Sequence, residues 1–223
     1  MWTIRRYQPS DRSAVRRLAG DTAHFGEPIE RFFDAREVFL DAFANFYTDV
    51  AYNYLWVALE NSATHDDSTT LDDGELIGYL MGCPDTRDYE AWFRSNVKHV
   101  AWRAVTWRYR GVFTRKSLGY IRRYLRLRLP YIDLSPYPAH LHINTRADRR
   151  GTGIGTALMK TYLDQLRTEN IPGVHLETSS ENKIAVPWYE RLGFRRLQSV
   201  PTDVYQHSVG HAVDLYLYAM RLM

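Results

Sequence analysis

A chain of 223 residues with a formal charge of +3 and ordinary apolar and charged fractions is long enough for one domain with a full core. So small a positive excess does not by itself imply a nucleic-acid partner. The single cysteine, Cys83, excludes an internal disulfide, and no apolar run approaches the ~18 residues of a membrane span.

Met1 is followed by no hydrophobic leader, so the expectation is a soluble cytoplasmic protein with residues 1–223 as one domain. Trp2 to Tyr7 alternates and reads as a strand. Pro9-Ser10-Asp11 opens a helix carrying Val15, Leu18 and Ala19. Asp34 to Val50 is a second helical stretch, with Val38, Phe39, Ala42, Phe43 and Phe46 at one-face spacing. Leu55–Leu59 and Glu75–Gly82 read as strands around the polar run Asn61–Asp73, expected to be an exposed, mobile loop. Many aromatic residues crowd the first quarter. Helical spacing assigns most of them to a core and leaves a few to line a pocket.

Residues 85–137 are a long connection. Asp88–Tyr109 and Thr114–Leu127 read as two helices separated at Gly111. Between Ala91 and Ile132 there are eleven lysines and arginines and no acidic residue. Trp92, Trp102, Trp107, Tyr109, Tyr120 and Tyr124 are interleaved with them. Three readings stay open: a hairpin packed by its aromatics with solvated arginines, a lid over an acidic ligand, or a surface for nucleic acid or an acidic membrane. Neither an RNA-binding fingerprint nor a zinc-finger spacing favours nucleic acid.

The strand His140–Ile143 leads into Arg149-Arg150-Gly151-Thr152-Gly153-Ile154-Gly155-Thr156, and a helix with Leu158, Tyr162 and Leu166 on one face follows, ending at Asn170. A strand, a glycine turn and a helix N-terminus make an anion site: glycines admit positive φ, and free N–H groups and the helix dipole face the ligand. The turn has no Gly-Lys-Ser/Thr ending and is not GxGxxG. Val174–Thr178 is the next strand. Then comes Asn182-x-x-Ala185-x-x-Trp188-Tyr189-x-x-x-Gly193-Phe194, helical if it begins near Ala185, where Pro187 falls in the first turn. Residues 194–200 and 210–220 alternate as a closing hairpin.

Arg150, Gly153 and Gly155 match Arg/Gln-x-x-Gly-x-Gly/Ala, and the segment from Asn182 to Phe194 matches a fourth-helix signature, with Trp188 where Phe is usual. Both resemble the GNAT superfamily of N-acetyltransferases. The resemblance implies an α/β fold: a mixed, mostly antiparallel sheet flanked by helices, here with a helical insertion before the central cofactor-binding strand. It also implies acetyl-CoA as acetyl donor. The expected contacts are Ile143, Asn144 and Thr145 on the strand, residues Arg150, Gly151, Thr152, Gly153, Ile154, Gly155 and Thr156 on the pyrophosphate, and Asn182 on the pantetheine arm. Tyr189 matches the residue that protonates the leaving thiolate.

Catalytic base candidates are His142, which shares a strand face with His140, and Glu177. No metal is expected, because no carboxylate or cysteine partner stands at ligand spacing from the histidines. The implied activity is acetyl transfer to a primary amine, on a small molecule or a protein lysine, with a homodimer left open. The segments Gly78–Thr86 and Pro138–Ile143 also resemble stand-alone bacterial relatives of the acetyltransferase-like domain of O-GlcNAcases. In that pattern Asp is expected where this chain has Asn144, which keeps a second reading open: a non-catalytic acetyl-CoA sensor or interaction module.

Overall fold

The computed structural model describes residues 1–60, 74–106, 108–127 and 132–223. The run 61–73, expected to be a loop, lies outside the described residues, as do Trp107 and Arg128. Seven strands form one sheet: β1 (Trp2–Arg6), β2 (Leu55–Glu60), β3 (Glu75–Cys83), β4 (Ala139–Thr145), β5 (Gly173–Ser179), β6 (Arg195–Thr202) and β7 (Val213–Arg221). Their spatial order is β1-β2-β3-β4-β5-β7-β6. Every pairing is antiparallel except β4 with β5. Parallel neighbours need a crossover, and α5 (Ile154–Thr168) supplies it. Asn170, at φ 59, ends that helix in the left-handed conformation.

Helices cover both faces. α5 packs Ile154, Leu158, Tyr162 and Leu166 against Leu80, Leu141 and Leu176 of the sheet. α1 (Arg12–Asp21) and α2 (Arg36–Asp49) close the other face with Val15, Leu18, Leu40, Ala44 and Tyr47 over Val57, Tyr79 and Met81. The deepest face of α2 differs from the sequence expectation. Leu40, Asp41, Ala44, Tyr47 and Thr48 are buried with Phe46, while Val38, Phe39, Ala42 and Phe43 are only half-buried. The reason is that α2 faces two neighbours, the sheet and the insertion, so no single apolar stripe describes its contacts.

The insertion forms α3 (Thr86–Val105) and α4 (Arg115–Arg126). It is joined to the rest by a third apolar cluster, in which Val100, Tyr109 and Val112 meet Ile29, Phe32, Phe33 and Ala35. A buried carboxylate fastens it further. Asp41 accepts hydrogen bonds from Arg103 at 2.7 Å, the Tyr109 hydroxyl at 2.7 Å and Arg16 at 3.0 Å. Asn96 donates to the Asp41 carbonyl at 2.9 Å. Asp34 takes a second set, from the Thr114 hydroxyl at 2.7 Å and from Lys116. The reading of a hairpin packed by its aromatics thus holds for Tyr109 and Tyr120 but not for Trp102, which is 66% exposed.

Asp41→Ala would leave the buried Tyr109 hydroxyl without its acceptor and take one ion-pair partner each from Arg16 and Arg103. Urea unfolding should show a loss of about 3 kcal/mol, the range for removing one partner of a buried ionic network, and the amides of α3 should exchange faster with solvent.

Candidate active site

β4 and β5 pair only at Ala139↔Val174 and His140↔His175. Beyond that point the two strands part, although each continues, to Thr145 and Ser179. The gap opens into a groove of about 370 Å³ lined by Ile143, Asn144 and Thr145 of β4, by the turn before α5, and by α6 (Ala185–Arg191) with the residues leading into it. Of the residues expected at the cofactor, Arg150, Gly151, Gly153, Ile154, Gly155, Thr156, Asn182 and Tyr189 all line this groove. Thr152 does not line it; its hydroxyl turns back to the Arg149 carbonyl at 2.7 Å.

The turn has the geometry of an anion cradle. Gly151 and Gly153 stand at φ 77 and φ 88, and a Cβ at either would meet nothing within 4 Å. That openness leaves the backbone free to approach a ligand. The first intrahelical bond of α5 runs from the Ala157 amide to the Gly153 carbonyl at 3.0 Å, so the amides of Ile154, Gly155 and Thr156 have no intrahelical acceptor. Gly155 is different from the other two. It lies inside the helix, where a Cβ would meet the Trp188 ring at 3.6 Å. Trp188 also donates to the Thr156 hydroxyl at 3.3 Å, which ties α6 to α5 across the groove.

Several groove residues escaped the sequence analysis. Arg150 donates to the Gly26 carbonyl at 2.6 Å. Phe25 and Gly26 both line the groove and form the two central residues of a turn between His24 and Glu27, at φ 53 and φ 90. A bulky residue in the left-handed region costs on the order of 1 kcal/mol. The adjoining His24 is buried, and its Nδ1 has no partner among the described residues. No sequence signal marked this turn, since Phe-Gly is not a typical hairpin pair.

Around α6, helix entry and groove are built together. Pro187 lies in the first turn, as expected. The Asn182 side-chain oxygen accepts the Ala185 amide at 3.3 Å, capping that turn from beside the groove. The Tyr189 ring is buried, and its hydroxyl has no hydrogen-bond partner among the described residues. Burial pushes this phenol above the usual tyrosine value, so it carries its proton at neutral pH. The Asn144 side chain donates to the hydroxyl of Tyr79, its cross-strand neighbour on the same face, at 2.9 Å.

His140, His142 and Asn144 share the face covered by α2, as period two requires. His140 is fully engaged. The Thr86 hydroxyl donates to the Pro138 carbonyl at 2.9 Å and therefore accepts from His140 Nδ1 at 2.8 Å. That leaves Nε2 to accept from the Tyr47 hydroxyl at 2.7 Å. His142 packs on Phe43 and Tyr47, and its ring nitrogens have no hydrogen-bond partner among the described residues. Burial, then the neighbouring His175, holds His142 down at about 4. Glu177 has no hydrogen bond or ion pair among the described residues. It is an exposed residue, and desolvation pushes its carboxyl above the usual glutamate value.

Two splayed parallel strands, with a glycine turn and a helix N-terminus at their mouth, make a groove with unobstructed backbone at one end. The chain belongs to the acetyltransferase (GNAT) family, whose model matches residues 32–194, and acetyl-CoA is the acetyl donor of that family. A relative from Xenopus laevis named "Probable N-acetyltransferase camello" is 30% identical over 82 residues, which span 36% of this chain and 37% of that protein. The crystal structure of SsHAT matches with a TM-score of 0.71 and 28% identity, covering 100% of this chain and 98% of the other. The structure of yncA from Salmonella typhimurium, solved with its cofactor acetyl-CoA, matches with a TM-score of 0.58 and 15% identity over 100% and 95% of the two chains, a likeness of fold. Among the described residues, no helix is long and apolar enough to cross a membrane.

The histidines make stability depend on pH. His140 is held well below the ordinary value of 6.5 by burial, and His142 at about 4. Such groups contribute stability above the unfolded value and lose it as pH falls towards the folded one. The urea midpoint should therefore drop between pH 6.5 and pH 4, and His140→Gln should flatten that drop.

Proposed function

We propose that this protein is an acetyl-CoA-dependent N-acetyltransferase that passes the acetyl group directly to a primary amine, on a small molecule or an exposed lysine. The observation that carries this reading is the parting of β4 from β5 after His140 and His175. It opens the groove of the glycine turn between two strands that carry His142 and Glu177 just past the parting, although neither of these two side chains lines the groove itself. The turn fits a pyrophosphate because its backbone is unobstructed and the helix amides above it have no intrahelical acceptor.

In this reading the amides from Gly151 to Thr156 and the Arg150 guanidinium hold the phosphates. Ile143 and Thr145 offer backbone groups along β4, and Asn182 offers its amide to the pantetheine arm. Bound acetyl-CoA supplies an activated acyl carbon. The amine must first lose a proton, and Glu177 takes it. Its raised pKa makes it a better base than His142, which at about 4 stays neutral and serves to hydrogen-bond the amine. The amine nitrogen then bonds to the acyl carbon, backbone N–H groups of β4 stabilise the charge gathering on the oxygen, and the carbon–sulfur bond breaks. Tyr189 gives its proton to the departing thiolate, and the second proton, which the nitrogen sheds on becoming an amide, restores the tyrosine hydroxyl.

Three variants test these assignments. Gly153→Glu places an anion in the cradle, and calorimetry should show CoA affinity reduced by about tenfold or more; unchanged binding by the folded variant rejects the cradle. Tyr189→Phe should lower kcat by about 10²-fold with acetyl-CoA affinity little altered. For Glu177, the acid limb of kcat/KM should lie above the ordinary carboxylate value of about 4.3, and Glu177→Gln should abolish that limb together with most of the activity. A protein that binds acetyl-CoA but acetylates no amine would instead be the sensor.

A further inference from the structure

We infer that the helical insertion is a membrane-docking surface: the outward faces of α3 and α4 seat on a bilayer that contains acidic phospholipids.

Each insertion helix keeps one face for the protein and leaves one to the outside. On α3, Arg94, Lys98, Ala101, Trp102 and Val105 stand at i, i+4, i+7, i+8 and i+11, which puts them on one side of the helix. All five are exposed. The other side is used by the fold: Val100 is buried in the third apolar cluster, Asn96 bonds to α2 and Arg103 binds Asp41. α4 repeats the arrangement. Ser117 is buried, and Tyr120 and Ile121 pack on the same apolar cluster as Val100. Arg115, Leu118, Arg122 and Arg126, at i, i+3, i+7 and i+11, form an exposed stripe. Both stripes therefore point away from one shared cluster.

The outward faces combine apolar area with charge. Trp102 is 66% exposed, Val105 67% and Leu118 46%. Of the thirteen large apolar or aromatic side chains exposed among the described residues, seven lie between Val97 and Leu125, so the exposure is concentrated and not scattered singly. Lys98, Arg108, Arg110, Arg115, Arg122 and Arg126 are exposed, and none of them makes an ion pair or a side-chain hydrogen bond among the described residues. The carboxylates that answer other cations of the insertion, Asp41 and Asp34, are already taken by Arg103 and Lys116. No acid between Ala91 and Ile132 is available to the rest.

Chemistry then selects the occupant. A polynucleotide would satisfy the cations but would give Val105 and Leu118 nothing apolar to bury against. A second copy of this chain, seated face to face, would set the same cations against one another. An acidic bilayer meets both demands. Its headgroups attract the lysines and arginines, and its interface takes up the aliphatic side chains and the Trp102 ring. None of the described residues of the insertion lines the cofactor groove, so docking by this face leaves the groove unblocked.

The test mixes the intact protein with vesicles of equimolar phosphatidylcholine and phosphatidylserine, with vesicles of phosphatidylcholine alone, and with a duplex RNA. The acidic vesicles should bind about tenfold or more tightly than the neutral ones, and added salt should weaken that binding. Trp102→Ala with Leu118→Ala keeps every charge and should lower the partition onto acidic vesicles about tenfold. Arg115→Gln with Arg122→Gln should lower it about as much. All four positions lie outside the groove, so an unchanged Kd for acetyl-CoA reports that each variant is folded. Equal binding to both vesicle types, binding to neither, or acidic-vesicle binding that the Trp102 and Leu118 pair leaves unchanged overturns the proposal. Tighter binding to the RNA than to acidic vesicles overturns it in favour of a polynucleotide surface. A dimer in analytical ultracentrifugation that the Trp102 and Leu118 pair dissociates overturns it in favour of a second copy.

Discussion

Two parallel strands that pair for two residues and then separate place an obligation on the backbone. β4 is held by β3 from His140 to Thr145, and β5 along its whole length by β7. Neither strand can therefore bend across to close the gap, and past His140 the facing edge of β4 has no β5 residue to pair with. Polar backbone groups inside a protein need partners. A sheet that parts in its middle consequently creates a slot whose unmet hydrogen bonds suit an extended ligand. Everything else at the site is arranged around that slot: α5 begins at its mouth, α6 lines it, and the two histidines and Glu177 lie on the sheet face away from α5.

The insertion is a structural member of the protein and not a loose addition. Its apolar residues complete a cluster that the segment from Ile29 to Ala35 cannot close alone. Its polar side is fixed by Asp41, a carboxylate that sits on the inner face of a helix and would be costly there without Arg16, Arg103 and Tyr109. None of its described residues lines the cofactor groove, which separates it from a lid over the phosphates. Of its rings, Tyr89 instead packs on His140 of β4.

The groove meets the aromatic cluster around Tyr205 at the turn from His24 to Glu27. Arg150 holds that turn by the Gly26 carbonyl, while Phe25, in a strained conformation, touches Tyr205. A guanidinium that belongs to the glycine turn is thus bonded to the segment between the groove and that cluster. Strain of this kind persists only where surrounding contacts hold it, and here those contacts come from both sides of the divide.

The sequence by itself determined the order and type of the elements, because hydrophobic period, helix caps and glycine turns are local signals. It also determined the cradle, since three glycines at fixed spacing before an amphipathic helix have few other uses, and it singled out Tyr189 and Asn182 through their spacing in one short segment. What it could not reveal depends on contacts between distant segments. Asp41 reads locally as one polar residue in an amphipathic helix, and only Arg103 and Tyr109, some sixty residues later, make it a buried anchor. His142 is a single titratable residue on a strand, and what surrounds it was decided by where Phe43 and Tyr47 of α2 come to rest. Period two places a side chain on a face of a sheet, but the charge state of that side chain depends on what covers the face, and tertiary packing alone supplies the cover.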